Sequence, residues 1–95
     1  MAINQIEGLD RLFDAVLTLK DRQECYMFFE DLCTIGELTA MAQRLGIAGL
    51  LHEGAKGNEI AAATGASSAT VSRVNRCLQY GSGGYELVLD REEKK

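Results

Sequence analysis

Apolar residues recur at three- and four-residue steps along the first half of this chain. Ile6, Leu9, Leu12, Phe13, Val16 and Leu17 form one stripe, Cys25, Phe28, Phe29 and Leu32 a second, and Leu38, Met41, Ala42, Leu45 and Ala48 a third. That period places each set on one face of an α-helix. Ahead of each stripe a side-chain oxygen stands three residues before an acid: Asn4 with Glu7, Asp21 with Glu24, Thr34 with Glu37. At that spacing the oxygen accepts a free N–H of the first turn, and the acid favours the positive helix end. Three such starts, in a chain without proline, predict an all-α fold.

The third helix is expected to run to about His52 and stop at Gly54, where glycine takes the left-handed conformation. Gly46 and Gly49 inside it each cost ~1 kcal/mol against alanine. Either they are tolerated in a long helix or another helix comes close. A short fourth helix near Asn58–Thr64 (with Asn58 as its cap), a turn at Gly65 and a helix from about Ser68 to Tyr80 follow. GSGG at 81–84 reads as a flexible break, YELVLDR as a last short helix, and EEKK as a frayed tail. The expectation is about six helices in a single domain, 1–95. Residues of about 1–53 are assigned to dimerisation, 54–80 to a helix-turn-helix, and 81–95 to the loop, short helix and tail. A lone fold of 95 residues buries only ~60–70 % of its unfolded surface, which favours a partner chain.

No apolar run reaches the ~20 residues that span a bilayer. The start, MAINQIEGLDRLF, lacks the basic-then-apolar order of a secretion signal, so a soluble, cytoplasmic protein is expected. Cys25, Cys33 and Cys77 are an odd set without a CxxC pair, unlike a disulfide framework. A zinc site takes about four ligands, and His52 is the only histidine; no metal site is read. The thiols are expected to be small core residues in a reducing compartment.

The net charge of −4 is unevenly spread. Residues 1–53 carry four Lys/Arg against nine Asp/Glu, whereas between Gly54 and Gly84 Lys56, Arg73 and Arg76 face only Glu59. An acidic total does not prevent a local cationic patch from touching phosphate.

That patch lies on a helix-turn-helix pattern. Two short helices crossing steeply need a small contact on the first, a left-handed residue in the turn, and branched residues to lock the angle. Ile60 and Ala61 supply the first helix's packing, Gly65 the turn, and Val71 and Val74 the buried face of the second. Cys77 is read as continuing that inward face. Outward lie Ser67, Ser68, Ala69, Thr70, Ser72, Arg73 and Arg76. Ser67 or Ser68 caps the helix and leaves N–H groups for a phosphate. Thr70 and Ser72 can reach base edges or water, Ala69 a thymine methyl, and the arginines phosphate or guanine. Double-stranded DNA is therefore the expected partner. The competing reading is a protein-interaction module that keeps the shape with a solvated polar face.

The run LLHEGAKGNEIAAATGASSATVSRVNRCLQYG, with FFEDLCTIGELTAMAQRLGIAGLL upstream, resembles the Trp-repressor family and looks most like its YerC/YecD-type subgroup. The likeness covers about residues 10–90 and includes stretches such as RCLQYG that helix-turn-helix geometry does not require. It implies an intertwined homodimer whose N-terminal helices interlock. Its two recognition helices then face major grooves one turn, ~34 Å, apart. The Trp repressor is the standard case of water-mediated base readout, a style that suits Ser68, Thr70 and Ser72.

The resemblance also raises a corepressor, since the name-giving member holds L-tryptophan between two arginines. One of these corresponds to Arg73 and the other falls near Gln43 or Arg44; a threonine of that pocket corresponds to Thr34. Two departures oppose it: Val74 stands where the family repressor has glycine, and Cys77 replaces a serine. A branched residue at 74 fills the ring's space. The expectation is regulation without a cofactor, with a different small effector left open.

Nothing resembles a catalytic constellation. His52 has no nucleophile partner in a motif, GSGG lacks the strand, helix and lysine of a phosphate loop, and Glu30-Asp31 are adjacent and so diverge. His52 reads as support for a helix dipole, and Tyr80 and Tyr85 as packing anchors. The chain is read as a dimeric DNA-binding transcriptional regulator, a repressor, and not an enzyme.

Overall fold

A computed structural model describes residues 2–94. Among these a 3-10 turn at Ile3–Gln5 precedes six helices: α1 (Leu9–Val16), α2 (Arg22–Leu32), α3 (Ile35–His52), α4 (Gly57–Thr64), α5 (Ser68–Tyr80) and α6 (Gly84–Glu93). No strand forms among the described residues. The backbone groups into two compact units, Met1–Ile35 and Gly36–Lys95.

In the first unit one expected cap is displaced. Asn4 lies inside the 3-10 turn rather than at the head of a helix, and α1 starts after Gly8, whose φ of 82° only glycine adopts without strain. That left-handed residue interrupts the stripe, so Ile6 falls outside the helix it was read into. The start of α2 matches its sequence signature more closely. Asp21 Oδ1 accepts the Glu24 N–H at 2.9 Å, and the Glu24 carboxylate accepts the Lys20 N–H at 2.8 Å. The rings of Phe28 and Phe29 meet edge to face at 5.6 Å, a favourable aromatic geometry. Neither α1 nor α2 contains a fully buried residue, and Leu17, Tyr26 and Met27 are exposed.

The second unit holds the core: Ile47, Ala48, Ile60, Ala66, Val71, Val74 and Leu89, with Leu50, Leu51, Ala55, Leu78 and Tyr85 packed around them. α3 ends as expected at Gly54, in a left-handed conformation. The Gly54 N–H reaches Leu51 O and the Ala55 N–H reaches Leu50 O, each at 3.0 Å, the paired bonds of a Schellman stop. Of the two glycines inside α3, Gly49 is the one approached. A Cβ there would lie 3.9 Å from Leu89 Cδ2 of α6, whereas one at Gly46 would meet nothing.

Further expectations need correction. α4 begins at Gly57, and Asn58 sits in its first turn rather than at its cap. Glu59 makes the start from inside, accepting the Lys56 N–H at 2.9 Å. The cysteines are not core residues: Cys25 and Cys33 are half-buried and Cys77 is exposed. On α5 the inward face runs Val71, Val74, Leu78, so Cys77 lies one residue, about 100°, off it. The EEKK segment is helical through Glu93, with Glu86 in the first turn of α6 and Arg91 in the last complementing its dipole; Lys95 lies outside the described residues. Tyr85 packs against the core as an anchor, but Tyr80 is 82 % exposed.

Candidate nucleic-acid interface

The turn between α4 and α5 is fastened by backbone and side chain together. Gly65 takes φ 73° and donates its N–H to Ala61 O at 2.9 Å, ending α4. Thr64 then works in two directions. Its hydroxyl donates to Ile60 O at 2.7 Å and accepts the Ala66 N–H at 3.2 Å. From α3, Gln43 Nε2 donates to Thr64 O at 3.4 Å. Ala66, the residue after the turn, is buried, so the loop is held by packing as well as by hydrogen bonds.

Ser67 is the cap of α5; its Oγ accepts the Thr70 N–H at 3.1 Å and lies 3.0 Å from the Thr70 hydroxyl. Of the two serines read as cap candidates, the structure uses Ser67 and leaves Ser68 in the first turn. Removing that oxygen in Ser67→Ala is expected to lower unfolding free energy by about 1 kcal/mol. Urea denaturation of the variant and of Ser68→Ala, which should change little, checks the assignment.

Beneath this first turn Val71 is 5 % and Val74 1 % exposed, and both belong to the core cluster with Ile60 and Ile47. Burying them fixes which face of α5 is left over. Ser67, Ser68, Ala69, Ser72, Arg73 and Arg76 are exposed, and Thr70 is half-buried. Among the described residues neither Arg73 nor Arg76 takes part in an ion pair. Two fixed cations thus stand on a face that also offers short hydroxyls and a helix N-terminus.

The residues read as an effector pocket have varied surroundings. Thr34 belongs to the first unit; Gln43, Arg44, Arg73, Val74 and Cys77 belong to the second. Gln43 and Arg44 are half-buried, and Gln43 is engaged on the Thr64 carbonyl. Val74 is sealed in the core. Cys77 instead lines an open groove of about 390 Å³ with Gly81, Ser82, Gly84 and Tyr85. Sequence reasoning missed the Gln43–Thr64–Ala66 brace, although a threonine just before a left-handed glycine is a recognisable signal for a side chain that bonds back into its own helix.

Comparison with known proteins agrees with this architecture. A family model described as Trp repressor protein matches residues 7–93. The chain is 54 % identical over 93 residues to YerC of Bacillus subtilis (strain 168), a protein of uncharacterised function, covering 96 % of this chain and 89 % of that one. A crystal structure of a candidate Trp repressor from Staphylococcus aureus superposes with a TM-score of 0.92 at 45 % identity, covering 100 % of this chain and 97 % of the other. A TrpR-like protein from Eubacterium eligens ATCC 27750 gives 0.89 at 47 % identity, over 94 % and 92 % of the two chains. The residues of the helix-turn-helix, the six-helix order and these matches agree: the chain belongs to the Trp repressor family.

Proposed function

We propose that this protein is a sequence-specific DNA-binding transcriptional repressor that acts as a homodimer in the cytoplasm. The observation that carries the reading is the exposed face of α5, where Arg73 and Arg76 lie beside hydroxyls on a helix seated by Val71 and Val74. In this reading the first turn of α5, capped by Ser67, directs the Ser68 and Ala69 N–H groups at a phosphate. Ala69, Thr70 and Ser72 meet base edges, directly or through water. Arg73 and Arg76 contact phosphate or guanine. Residues 1–53 dimerise, and the exposed Phe13, Leu17, Tyr26, Met27, Leu32 and Ile35 are the kind of apolar surface a partner chain covers. The chain works as one functional domain, with no catalytic role. Among the described residues no helix is long and apolar enough to cross a membrane.

Binding needs no tryptophan in this reading. Val74 occupies the core beneath α5, so the helix is seated by the chain itself. If the locking is intrinsic, a ligand has no differential contact through which to shift the helix.

Selection of genomic fragments by the purified protein, with and without L-tryptophan, tests both parts. The expected result is one palindromic sequence enriched to the same degree in both arms. Enrichment of nothing above background sinks the DNA reading and leaves the protein-interaction module. Enrichment only with tryptophan, or saturable heat on titrating tryptophan at micromolar levels, overturns the ligand-free mechanism.

A further inference from the structure

The C-terminal ends of α3 and α6 bring together three metal-ligating side chains that the helix-turn-helix does not use. His52 is in the last turn of α3, its side chain 27 % exposed. Its Nε2 lies 3.2 Å from Glu93 Oε1 and 3.8 Å from Asp90 Oδ1. Each of the three residues offers a ligand atom within 4.8 Å of the other two. We propose that His52, Asp90 and Glu93 bind a divalent transition-metal ion of the zinc class, one per chain, tying α3 to α6.

The spacing fits the ion. Zinc bonds of 2.0–2.1 Å in a tetrahedron put neighbouring donor atoms about 3.3 Å apart, and the two observed separations lie on either side of that value. Asp90 and Glu93 are three residues apart and so share one face of α6. This arrangement lets them chelate from one helix while the imidazole closes from another. The groove beside them, about 320 Å³, is lined by Gly49, His52, Glu53, Leu89, Glu92 and Glu93. Leu89 is buried, giving the groove an apolar floor.

The charges around the imidazole favour a cation. Glu53 and Glu92 line the groove together with His52 and Glu93, and Asp90 lies beside the imidazole. Among the described residues no lysine or arginine forms an ion pair with any of them. Both helices also direct their negative C-terminal ends here. A hard oxygen-seeking ion such as magnesium makes no special use of imidazole, whereas zinc and its first-row neighbours do.

Seating the ion has a mechanical effect. Leu89, one residue before Asp90, belongs to the same core cluster as Val71 and Val74. A metal fixing Asp90 and Glu93 to His52 therefore holds α6 against the core on which α5 rests. The site is independent of what α5 binds. Sequence patterning could not show it, because His52 is about forty residues from its two partners.

Because His52 is the only histidine, its ring signals report the site without ambiguity. The test titrates zinc chloride into the ¹⁵N-labelled full chain, with calorimetry and thermal melts alongside, and magnesium chloride as the comparison ion. One saturable site per chain, a displaced His52 Nε2 resonance and a raised melting temperature are expected with zinc. His52→Ala and the isosteric Glu93→Gln should each weaken zinc binding by about tenfold or more and abolish the thermal shift, with helical circular dichroism retained. Absence of saturable zinc heat overturns the proposal. So does a His52 signal unmoved at saturation, or equal zinc affinity in Glu93→Gln, which would place the ion on the thiols or elsewhere.

Discussion

Arg73→Ala combined with Arg76→Ala is expected to weaken operator binding by about three orders of magnitude or more. Each guanidinium that reads a base or holds a phosphate contributes about 1–3 kcal/mol, and the proposed dimer presents the pair twice. Even at the lower end the four losses sum to about 4 kcal/mol, and every 1.4 kcal/mol is tenfold. A second signature separates phosphate from base contacts. If all four neutralise phosphate, the slope of log affinity against log salt falls by about 0.9 for each, or between three and four in all. Loss of discrimination at one base pair with little change in slope assigns the residue to base readout instead. Fluorescence anisotropy on the selected operator and a scrambled duplex, across a salt series, measures both. The side chains are exposed, so folding should be unaffected. Undiminished operator affinity in the double variant would falsify the assignment of α5 as the recognition helix.

Ile60→Ala carries the largest expected effect on stability. Ile60 is 0 % exposed, lies in α4, and shares the core cluster with Val71 and Val74 of α5. Truncating a buried isoleucine typically costs 2–5 kcal/mol, the spread reflecting how far the site collapses into the cavity. Here collapse is opposed on one side by Gly65 and by the Thr64 brace, which fix the angle between α4 and α5. The expected loss is about 4 kcal/mol, a large share of the 5–15 kcal/mol that holds most domains together. Chemical denaturation followed by circular dichroism gives the value. A loss below about 1 kcal/mol would show that the α4–α5 seam is not a tightly packed contact.

Which features could be read in advance follows from the range over which they act. Asp21, Gly54, Gly65 and the capping serine region are punctuation whose chemistry lies within three or four residues, and α2, α3 and α5 start or stop where that chemistry places them. The family likeness, carried by RCLQYG and its neighbours, was legible for the same reason: it is written in contiguous residues. Misreadings arose where two local signals competed. Asn4 with Glu7 has a capping spacing, but Gly8 intervenes with a conformation that starts the helix later. Asn58 is a good capping residue, yet Glu59 reaches the Lys56 N–H and starts α4 earlier. Composition points Cys77 inward, but the 3-4 spacing of Val71, Val74 and Leu78 leaves it outside. What no window could show is tertiary: Gln43 reaching Thr64, and His52 reaching α6.

Val74 has a consequence for control. A helix seated by a diffusing ligand is seated only in proportion to that ligand's concentration relative to its dissociation constant. Val74 is attached to the helix it seats and is sealed inside the core, so its local concentration never falls. In the proposed function, occupancy of an operator is then set by how many copies of the protein the cell holds, and the rate of its own synthesis and removal becomes the input. Such a repressor counts itself rather than a nutrient.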